Sequence, residues 1–280
     1  MRKILFAIAF ALPLVMMARG DKQLVILHTN DSHSAVMPLN ENLADTMLAG
    51  RGGYLRRLNM IRQERAKHPN LLLLDSGDFS QGSTYYTLFK GDVETGLMNL
   101  MGYDAATIGN HEFDFGLDNM ARLFRRCQFP IVCCNYDFTG TVVEGLVKPY
   151  VVLKRDGVKV GIFGLSPAMD GLVGNDKCAG VKYIDPVQAV ERTVETLRNK
   201  EKVDVVICLS HLGWDLKGVA IDPDIVHATK GIDLVLGGHS HTYMEEMEWV
   251  DNSEGKKVAV EQNGKHGIYV GKLTLTMKKR

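Results

Sequence analysis

The sequence predicts an α/β domain built from layered sheets and helices. Short, nearly continuous apolar segments recur along the chain, as in strands that are covered on both faces. Amphipathic segments with helical spacing separate them, which is the alternation of strand–helix–strand units. The 280 residues are 45% hydrophobic, enough to bury a large core. Because the sequence contains no internal repeat and no low-complexity linker, we expect residues 21–280 to form a single domain.

The charge of the chain excludes some classes of partner. Its 33 basic and 33 acidic residues cancel, so no overall field favours a nucleic-acid polymer or an anionic membrane. A negatively charged substrate would therefore need a local binding site. The five cysteines are an odd number without the spacing of a small disulfide-rich domain, and their pairing stays open.

The first 20 residues have the pattern of an export signal. Two basic residues precede an apolar segment from Ile4 to Ala18, and Gly20 follows at the expected cleavage point. A membrane anchor is the alternative, but the segment is shorter than the ~20 residues of a spanning helix, and Pro13 interrupts it. We therefore predict a signal peptide over residues 1–20 and a periplasmic or secreted protein, with no stable membrane insertion after signal removal.

Seven apolar segments are predicted as strands. In order, they are residues 24–27, 71–74, 104–108, 130–134, 158–165, 203–209 and 232–236. The end of the chain differs, because residues 257–277 alternate around Asn263 and Gly264 as in an antiparallel hairpin. The sequence thus predicts antiparallel additions to a sheet of strand–helix–strand units.

The segment GRGGYLRRLNMIRQER, residues 50–65, is predicted as an amphipathic helix. Leu55, Leu58 and Ile61 recur at helical spacing, so this face is expected to pack against a sheet. An alternative use of the segment is contact with an anion through its two adjacent arginines, Arg56 and Arg57.

Two further helices are predicted from their first residues. Asp185 is a capping residue and Pro186 stands at the first helical position, which is where proline is favoured. Asp222 and Pro223 open another helix, and Gly231 can close it.

Five of the predicted strands continue directly into residue types that bind metals. The five loops begin HTNDSH, DSGD, GNHEFD, SHLGW and GGHSH. In open α/β sheets ligands bind beyond the carboxyl ends of the strands, so these loops are expected to converge. Asp31 and His33 lie two residues apart and would face the same way in an extended backbone. Glycines at positions 77, 109, 237 and 238 would leave room where the loops crowd together.

Imidazole and carboxylate ligands suit zinc, manganese or iron, and the sequence has no converging set of cysteines for a structural zinc or iron–sulfur site. The candidates outnumber the ligands of one tetrahedral ion, which suggests two metals with a bridging carboxylate. Two metals about 3.5 to 4 Å apart suit the hydrolysis of phosphate esters. The candidate ligands are Asp31, His33, Asp78, Asn110, His211, His239 and His241.

These five motifs, in this order, resemble the metallophosphoesterase (calcineurin-like) superfamily, and GNHEFDFG in particular resembles its 5′-nucleotidase branch. The resemblance extends from about Leu24 to Met277. It implies a four-layer α-β-β-α sandwich, with two mixed β-sheets flanked by helices, and two divalent metal ions (Mn, Zn, Co or Fe).

The resemblance also implies a role for each motif residue. One metal would be held by Asp31, His33, Asp78 and His241. The other would be held by Asp78, Asn110, His211 and His239, with Asp78 as the bridge. His111, with Asn110, would contact the substrate phosphate and protonate the leaving oxygen, and Asp114 would orient it.

The chain departs from the family pattern in two ways. Many nucleotidases of this branch have Gln or Asn at the position of His241, so the substrate class is less constrained than the reaction class. Full-length relatives also continue into a domain that stacks the nucleotide base on aromatic residues and binds phosphate with arginines. We expect residues 21–280 to lack this domain, and we hypothesise that a separate substrate-binding polypeptide supplies it.

The predicted function is an exported, dinuclear-metal phosphoesterase acting on 5′-nucleotides or other small phosphate monoesters. A 2′,3′-cyclic nucleotide phosphodiesterase and a nucleotide-sugar hydrolase are alternatives that would use the same metals, and a sulfur-ester hydrolase of related fold is another. An alternative of another class is a metal-bearing subunit that has no turnover without its partner.

Several residues outside the motifs have ordinary explanations. His28 is a strand-end residue that either supports a ligand or packs in the core, and Tyr85 and Tyr86 are expected to pack. His227 and His266, like His68, are predicted to be surface histidines.

Overall fold

The computed structural model describes residues 22–277, so the predicted signal peptide over residues 1–20 lies outside the described residues. Most strands are short, and the longest have eight residues. In chain order they are β1 Lys22–Thr29, β2 Leu72–Asp75, β3 Ala105–Ala106, β4 Ile131–Val132, β5 Tyr136–Asp137, β6 Val147–Lys148, β7 Tyr150–Arg155, β8 Val158–Leu165, β9 Lys182–Tyr183, β10 Val205–Ser210, β11 Leu234–Leu236, β12 Glu248–Asp251, β13 Lys257–Glu261 and β14 Gly271–Met277.

The α-helices of the described residues have 6 to 14 residues. They are α1 Tyr54–Lys67, α2 Thr84–Phe89, α3 Asp92–Met101, α4 Gly116–Phe124, α5 Pro186–Glu195 and α6 Asp222–Ala228. Within residues 22–277, none of the helices combines the length and the apolar character needed to cross a membrane.

The strands form two six-stranded sheets and a small two-stranded ladder. The first sheet has the order β14-β1-β2-β3-β4-β6, and the second has the order β12-β13-β11-β10-β8-β7. Interior pairs such as β1 with β2 and β8 with β10 are parallel, while β14, β12 and β7 join the edges antiparallel. The prediction of two mixed sheets is therefore confirmed.

The two sheets face each other, and helices cover their outer faces. Along β1 the side chains alternate: Leu24 and Ile26 pack against the second sheet, while Val25 and Leu27 pack toward helices α1, α3 and α4. Helices α5 and α6 cover the second sheet, where they contact residues such as Phe163 of β8. This is the predicted α-β-β-α sandwich.

All seven predicted strands are present, as β1, β2, β3, β4, β8, β10 and β11. The predicted starts of α5 and α6 are confirmed as well, and the Asp185 side chain caps α5 by accepting from the Gln188 amide at 3.0 Å. The five cysteines, which all lie within the described residues, are free thiols.

The predicted hairpin over residues 257–277 is wrong. Strand β13 pairs with β11 and β12 in the second sheet, whereas β14 pairs with β1 in the first sheet. The segment around Asn263 and Gly264 therefore crosses from one sheet to the other. Alternation along each strand reports one buried face but does not say which sheet that face belongs to.

The buried face of α1 also differs from the prediction. Leu55 is 75% exposed, while Tyr54, Arg57 and Ile61 are buried at spacings of three and four residues. The helix thus turns a charged side chain inward and a leucine outward, which a hydrophobic pattern cannot indicate.

The layer arrangement predicts that two alanine substitutions differ in their effect on the free energy of unfolding. Ile162 lies fully buried between the sheets, so Ile162→Ala is expected to lower the free energy of unfolding by about 2 to 5 kcal/mol. Leu55→Ala, on the exposed face of α1, should change it by less than about 0.5 kcal/mol. Urea unfolding measures both values, and equal losses would contradict the assigned layers.

Candidate metal centre

The five predicted loops meet at the carboxyl edges of the two sheets. Asp31 and His33 follow β1, Asp78 follows β2, and His111 lies after β3. From the second sheet, His211 follows β10, and the GGHSH loop follows β11. The convergence of the loops is confirmed by three overlapping groups of possible ligands, each with its ligand atoms within 4.8 Å: Asp31, His33 and His241; His33, Asp78 and His111; Asp78, His211 and His239.

The first group lies on the β1 side of the centre. His33 Nε2 is 2.8 Å from His241 Nε2, and these nitrogens are 3.7 Å and 3.4 Å from Asp31 Oδ1. Two imidazole nitrogens and a carboxylate oxygen thus face one point. That is the donor set of a divalent transition metal.

The group of Asp78, His211 and His239 lies on the side of β10 and β11, and its Asp78 also approaches His33 of the first group. His211 Nε2 lies 3.0 Å from Asp78 Oδ2, and His33 Nε2 lies 4.0 Å from the same oxygen. His239 completes the group, and its ring centroid is 5.1 Å from that of His211. The Asp78 carboxylate therefore stands between histidines of both groups, where the bridging assignment puts it.

The donor set fits divalent cations. His211 Nε2 and Asn110 Oδ1 are buried without a hydrogen-bond partner within residues 22–277, and the contact of His211 with Asp78 is not aligned as a hydrogen bond. Burial lowers the pKa of His33 and brings that of His239 to about 4, so both rings are neutral near pH 7, as metal ligands must be.

The backbone at this centre is not extended. Five of the predicted ligands have positive φ angles: Asp31 (48°), His33 (42°), Asp78 (53°), His239 (71°) and His241 (55°). Asp31 and His33 therefore do not lie in an extended segment, and that prediction is wrong. A left-handed turn instead brings the two side chains together, and non-glycine residues adopt this conformation rarely and at a cost.

Backbone hydrogen bonds tie the first two loops together. The amides of Asp31 and His33 donate to the carbonyls of Gly77 and Asp78, each at 2.9 Å. The Asp31 side chain is fixed as well, because its Oδ2 accepts from Asn30 Nδ2 at 2.7 Å and from the His239 amide at 3.0 Å. The other carboxylate oxygen of Asp31, Oδ1, is left facing His33 and the centre.

His211 and Asp78 are oriented by similar means. His211 Nδ1 lies 2.7 Å from the Ser76 carbonyl oxygen, to which it donates, so Nε2 points at the centre. Asp78 Oδ1 accepts from the His111 amide at 2.9 Å, which leaves Oδ2 toward the histidines. Buried Glu112 then accepts from the amides of Asp78 and Gly109 at 3.0 Å and 2.6 Å.

The GGHSH loop is held by Gln262, which is fully buried. Its amide nitrogen donates to the Gly238 carbonyl at 2.9 Å, and its amide oxygen accepts from Ser240 Oγ and the Thr242 amide at 2.9 Å and 2.6 Å. These bonds hold Gly238, Ser240 and Thr242, which are the residues on either side of His239 and His241.

The predicted role of the glycines is confirmed. A Cβ atom on Gly77 would lie 2.7 Å from the Gly109 amide nitrogen, and one on Gly109 would collide with Asp78 Oδ1. A Cβ atom on Gly238 would lie 2.9 Å from His211 Nδ1, and one on Gly237 would be as close as 2.7 Å to Asp222 Oδ2. Larger residues at these positions would push the ligand loops apart.

His111 and Asp114 form a pair at the open side of the centre. The Nδ1 atom of His111 is 3.2 Å from both carboxylate oxygens of Asp114, and the two side chains are 31% and 34% exposed. Burial alone would lower the pKa of His111, but the Asp114 hydrogen bond and the charge of Asp78 outweigh it and raise the pKa. The Tyr86 hydroxyl donates to the His111 carbonyl at 3.2 Å.

Several residues around the centre were not predicted from the sequence. Asn30 and Glu112 lie inside the quoted motifs. Their position next to candidate ligands in the sequence could have indicated that they support those ligands. Gln262 had no such signal, because the hairpin prediction placed it on a strand. His28 packs at the end of β1, where its ring lies 3.0 Å from Asn263 Nδ2.

The prediction that His266 is a surface histidine is wrong. The His266 amide donates to the Asp31 carbonyl at 2.7 Å, and its half-buried ring lies 5.9 Å from that of His33. Because the chain crosses between the sheets here, His266 lies over the centre. At the tip of a hairpin it would instead have projected into solvent.

Comparison with known proteins agrees with this geometry. The sequence profile described as calcineurin-like phosphoesterase matches residues 24–243. The chain belongs to this family. The match covers all five ligand loops, so the resemblance inferred from the motifs is confirmed.

The relatives include nucleotidases. The chain is 33% identical to a 5′-nucleotidase of Rattus norvegicus over 96% of its own length and 49% of the relative's. It is 32% identical to a trifunctional nucleotide phosphoesterase of Bacillus subtilis, covering 93% of the chain and 18% of that protein. The crystal structure of a 5′-nucleotidase precursor from Thermus thermophilus superposes with a TM-score of 0.80 at 30% identity, covering 91% of this chain and 51% of that one. The chain thus spans about half the length of the nucleotidases that it matches.

The shared position of Asp78 predicts the effect of its substitution. Asp78→Asn should weaken binding of both metals and lower kcat by more than about 100-fold, since even residues that only support metal ligands contribute 10- to 100-fold. Metal content after dialysis and turnover of a phosphate ester measure the two losses. Asp176→Asn, at a position 76% exposed, is the matched control. Two retained metals with full turnover in Asp78→Asn would contradict the bridging role.

Proposed function

We propose that this chain is the catalytic domain of an exported phosphoesterase that uses two divalent cations to hydrolyse phosphate monoesters, chiefly 5′-nucleotides. The observation that carries the proposal is the pair of ligand groups that meet at Asp78, directly beside His111 and Asp114. Export suits this activity, because charged nucleotides cross membranes poorly and would be dephosphorylated outside the cell.

The proposed metals define the reaction class. When bound, two divalent cations supply charge neutralisation on the phosphoryl group and a nucleophile from water near neutral pH. We assign Asp31, His33, Asp78 and His241 to one cation. We assign Asp78, Asn110, His211 and His239 to the other.

His111 is proposed as the acid that protonates the leaving oxygen. Its Nδ1 atom contacts Asp114, so Nε2 is the nitrogen that remains for the substrate. The Asp114 carboxylate favours the protonated ring and fixes its orientation. Asn110 lies next to His111 and would share the phosphate contact. This intact pair favours turnover over the alternative of a metal-bearing subunit without activity.

The substrate class rests on the relatives. Several are named 5′-nucleotidase, which supports nucleotides as substrates. The Bacillus subtilis relative is named as a trifunctional nucleotide phosphoesterase, which keeps other nucleotide phosphoesters as a second candidate class.

The assignment of His111 predicts a dependence on the leaving group. His111→Asn should slow hydrolysis of AMP by about 10²- to 10⁴-fold, because a ribose alkoxide leaves poorly without a proton. The loss on p-nitrophenyl phosphate should be much smaller, since p-nitrophenolate is a stable anion. Steady-state kcat/KM for both esters measures the contrast.

Asp114→Asn is a second variant for that experiment. It should also lower kcat/KM more for AMP than for p-nitrophenyl phosphate, but both losses should be smaller than in His111→Asn. If His111→Asn slowed both esters equally, His111 would position the phosphate and would not act as the acid.

We further propose that recognition of the base comes from a domain or polypeptide beyond residues 22–277. In that case these residues alone should give similar kcat/KM values for AMP and ribose 5-phosphate, because the assigned contacts all involve phosphate. Stacking a base is worth about 1 to 3 kcal/mol, or ~5- to 150-fold in kcat/KM. The ratio should rise when the base-binding partner is added.

A built-in preference of 100-fold or more for AMP would contradict that proposal. Tyr243 and Tyr269 are then the residues to test, since their rings stack with centroids 4.2 Å apart and Tyr243 is 50% exposed two residues after His241. Loss of the preference in Tyr243→Ala would place base recognition on this pair.

A further inference from the structure

A buried arginine lies directly behind the metal centre. Arg57, the fourth residue of α1, is only 4% exposed. Its Nη1 atom donates to Ser32 Oγ at 2.8 Å, while Nε and Nη2 have no hydrogen-bond partner within residues 22–277. Burying a guanidinium with unpaired donors is costly, and an apolar side chain of similar length would fill the same place at less cost. The stability of the core therefore does not explain an arginine here.

The guanidinium of Arg57 joins α1 to the segment that crosses between the sheets. Its central carbon, Cζ, lies 4.4 Å from the centroid of the Tyr54 ring in the same helix. The backbone of Gly267, in the crossing segment, packs against the same group. A Cβ atom on Gly267 would collide with Nη2 and Cζ of Arg57, so only glycine fits at this position.

The contact with Ser32 brings Arg57 to the first ligand loop. Buried Ser32 lies between the candidate ligands Asp31 and His33, whose φ angles of 48° and 42° are both left-handed. Non-glycine residues keep this conformation only where their surroundings fix it. The hydrogen bond from Arg57 to the Ser32 hydroxyl fixes the middle of this turn from behind.

The contact with Gly267 supports the same turn from a second segment. The preceding residue, His266, donates its amide to the Asp31 carbonyl at 2.7 Å. Both His266 and Gly267 have positive φ angles, 62° and 56°, so this support is itself a strained stretch of backbone. Arg57 thus contacts both the turn that carries Asp31 and the segment that bonds to Asp31.

We propose that Arg57 is a positioning residue of the metal centre. Its guanidinium holds the turn of Asp31 and His33 against the crossing segment, and so orients the first group of ligands toward their cation. The inference rests on the two-cation centre of the proposed function. The cation on the other side should respond less, because the Ser76 carbonyl orients His211 there.

The test is titration of the full chain with Co²⁺ after chelation of its metals, followed by calorimetry and by the visible absorption of the bound cobalt. Arg57→Met keeps the length of the side chain and removes its charge and donors. We expect the affinity for one of the two cobalt ions to fall about 10- to 100-fold, as for other residues that support metal ligands, and the affinity for the other to change far less. The absorption spectrum at saturation should also change, since it reports the arrangement of the ligands.

Arg62→Met is the matched control, because Arg62 is an exposed arginine of the same helix. It should leave both affinities and the cobalt spectrum unchanged. Urea unfolding of each metal-free variant separates a loss of cation affinity from a loss of the fold.

Ser32→Ala tests the same contact while keeping the buried charge of Arg57. It should weaken binding of the same cobalt ion. The double variant Arg57→Met/Ser32→Ala should bind cobalt no more weakly than Arg57→Met alone, because two residues that act through one contact do not have additive effects.

The outcomes distinguish this inference from the proposed function. Fewer than two cobalt ions bound to the wild-type chain would contradict the two-cation centre, and the inference would fall with it. Two ions bound to Arg57→Met with wild-type affinities and spectrum would overturn the inference alone and leave Arg57 as a packing residue. Additive losses in the double variant would also overturn it.

Discussion

Two buried carboxylates set the main constraint on this molecule. Asp31 and Asp78 are almost fully buried, and both face histidines at the junction of the two sheets. Negative charges removed from water are costly unless cations balance them. The carboxylates of Asp78 and Asp31 outweigh burial and raise the pKa of His211 to about 10, so this place favours a proton or another cation. A divalent metal would displace that proton and satisfy both carboxylates, so the architecture is organised around cation binding.

The local structure around these carboxylates follows from that constraint. Bringing five loops to one point forces ligands into left-handed backbone conformations, each costing on the order of 1 to 3 kcal/mol. The surrounding hydrogen bonds offset the cost: the first two loops bond to each other through their backbones, Asn30 and Glu112 fix the carboxylate loops, and Gln262 fixes the histidine loop. These hydrogen bonds thus hold the candidate ligands in a defined geometry, which favours cation binding.

The candidate metal ligands could be predicted from the sequence. The residues that reach the site only because of how the strands pair could not. His239 and His241 were identifiable because metal ligands are a small set of residue types placed after strands. Gln262 and His266 were not, because the alternation of β13 and β14 also fits a hairpin, and only the pairing of each strand shows that the chain crosses between sheets. The burial of Arg57 was not predicted for a related reason: a hydrophobic pattern assigns charged residues to the surface, and burial of this one depends on tertiary contacts.

The exposure of the site indicates which part of a substrate these residues can contact and which part they cannot. The carboxylates are buried, whereas His111 and Asp114 are each about one-third exposed, so a phosphate ester must approach from the side of this pair. The metal ligands and His111 would then contact only the phosphoryl group and the leaving oxygen. The group beyond that oxygen would extend toward solvent, where the conformation of the five loops imposes no shape on it. With the proposed function, specificity for that group would come from surfaces that this geometry leaves free.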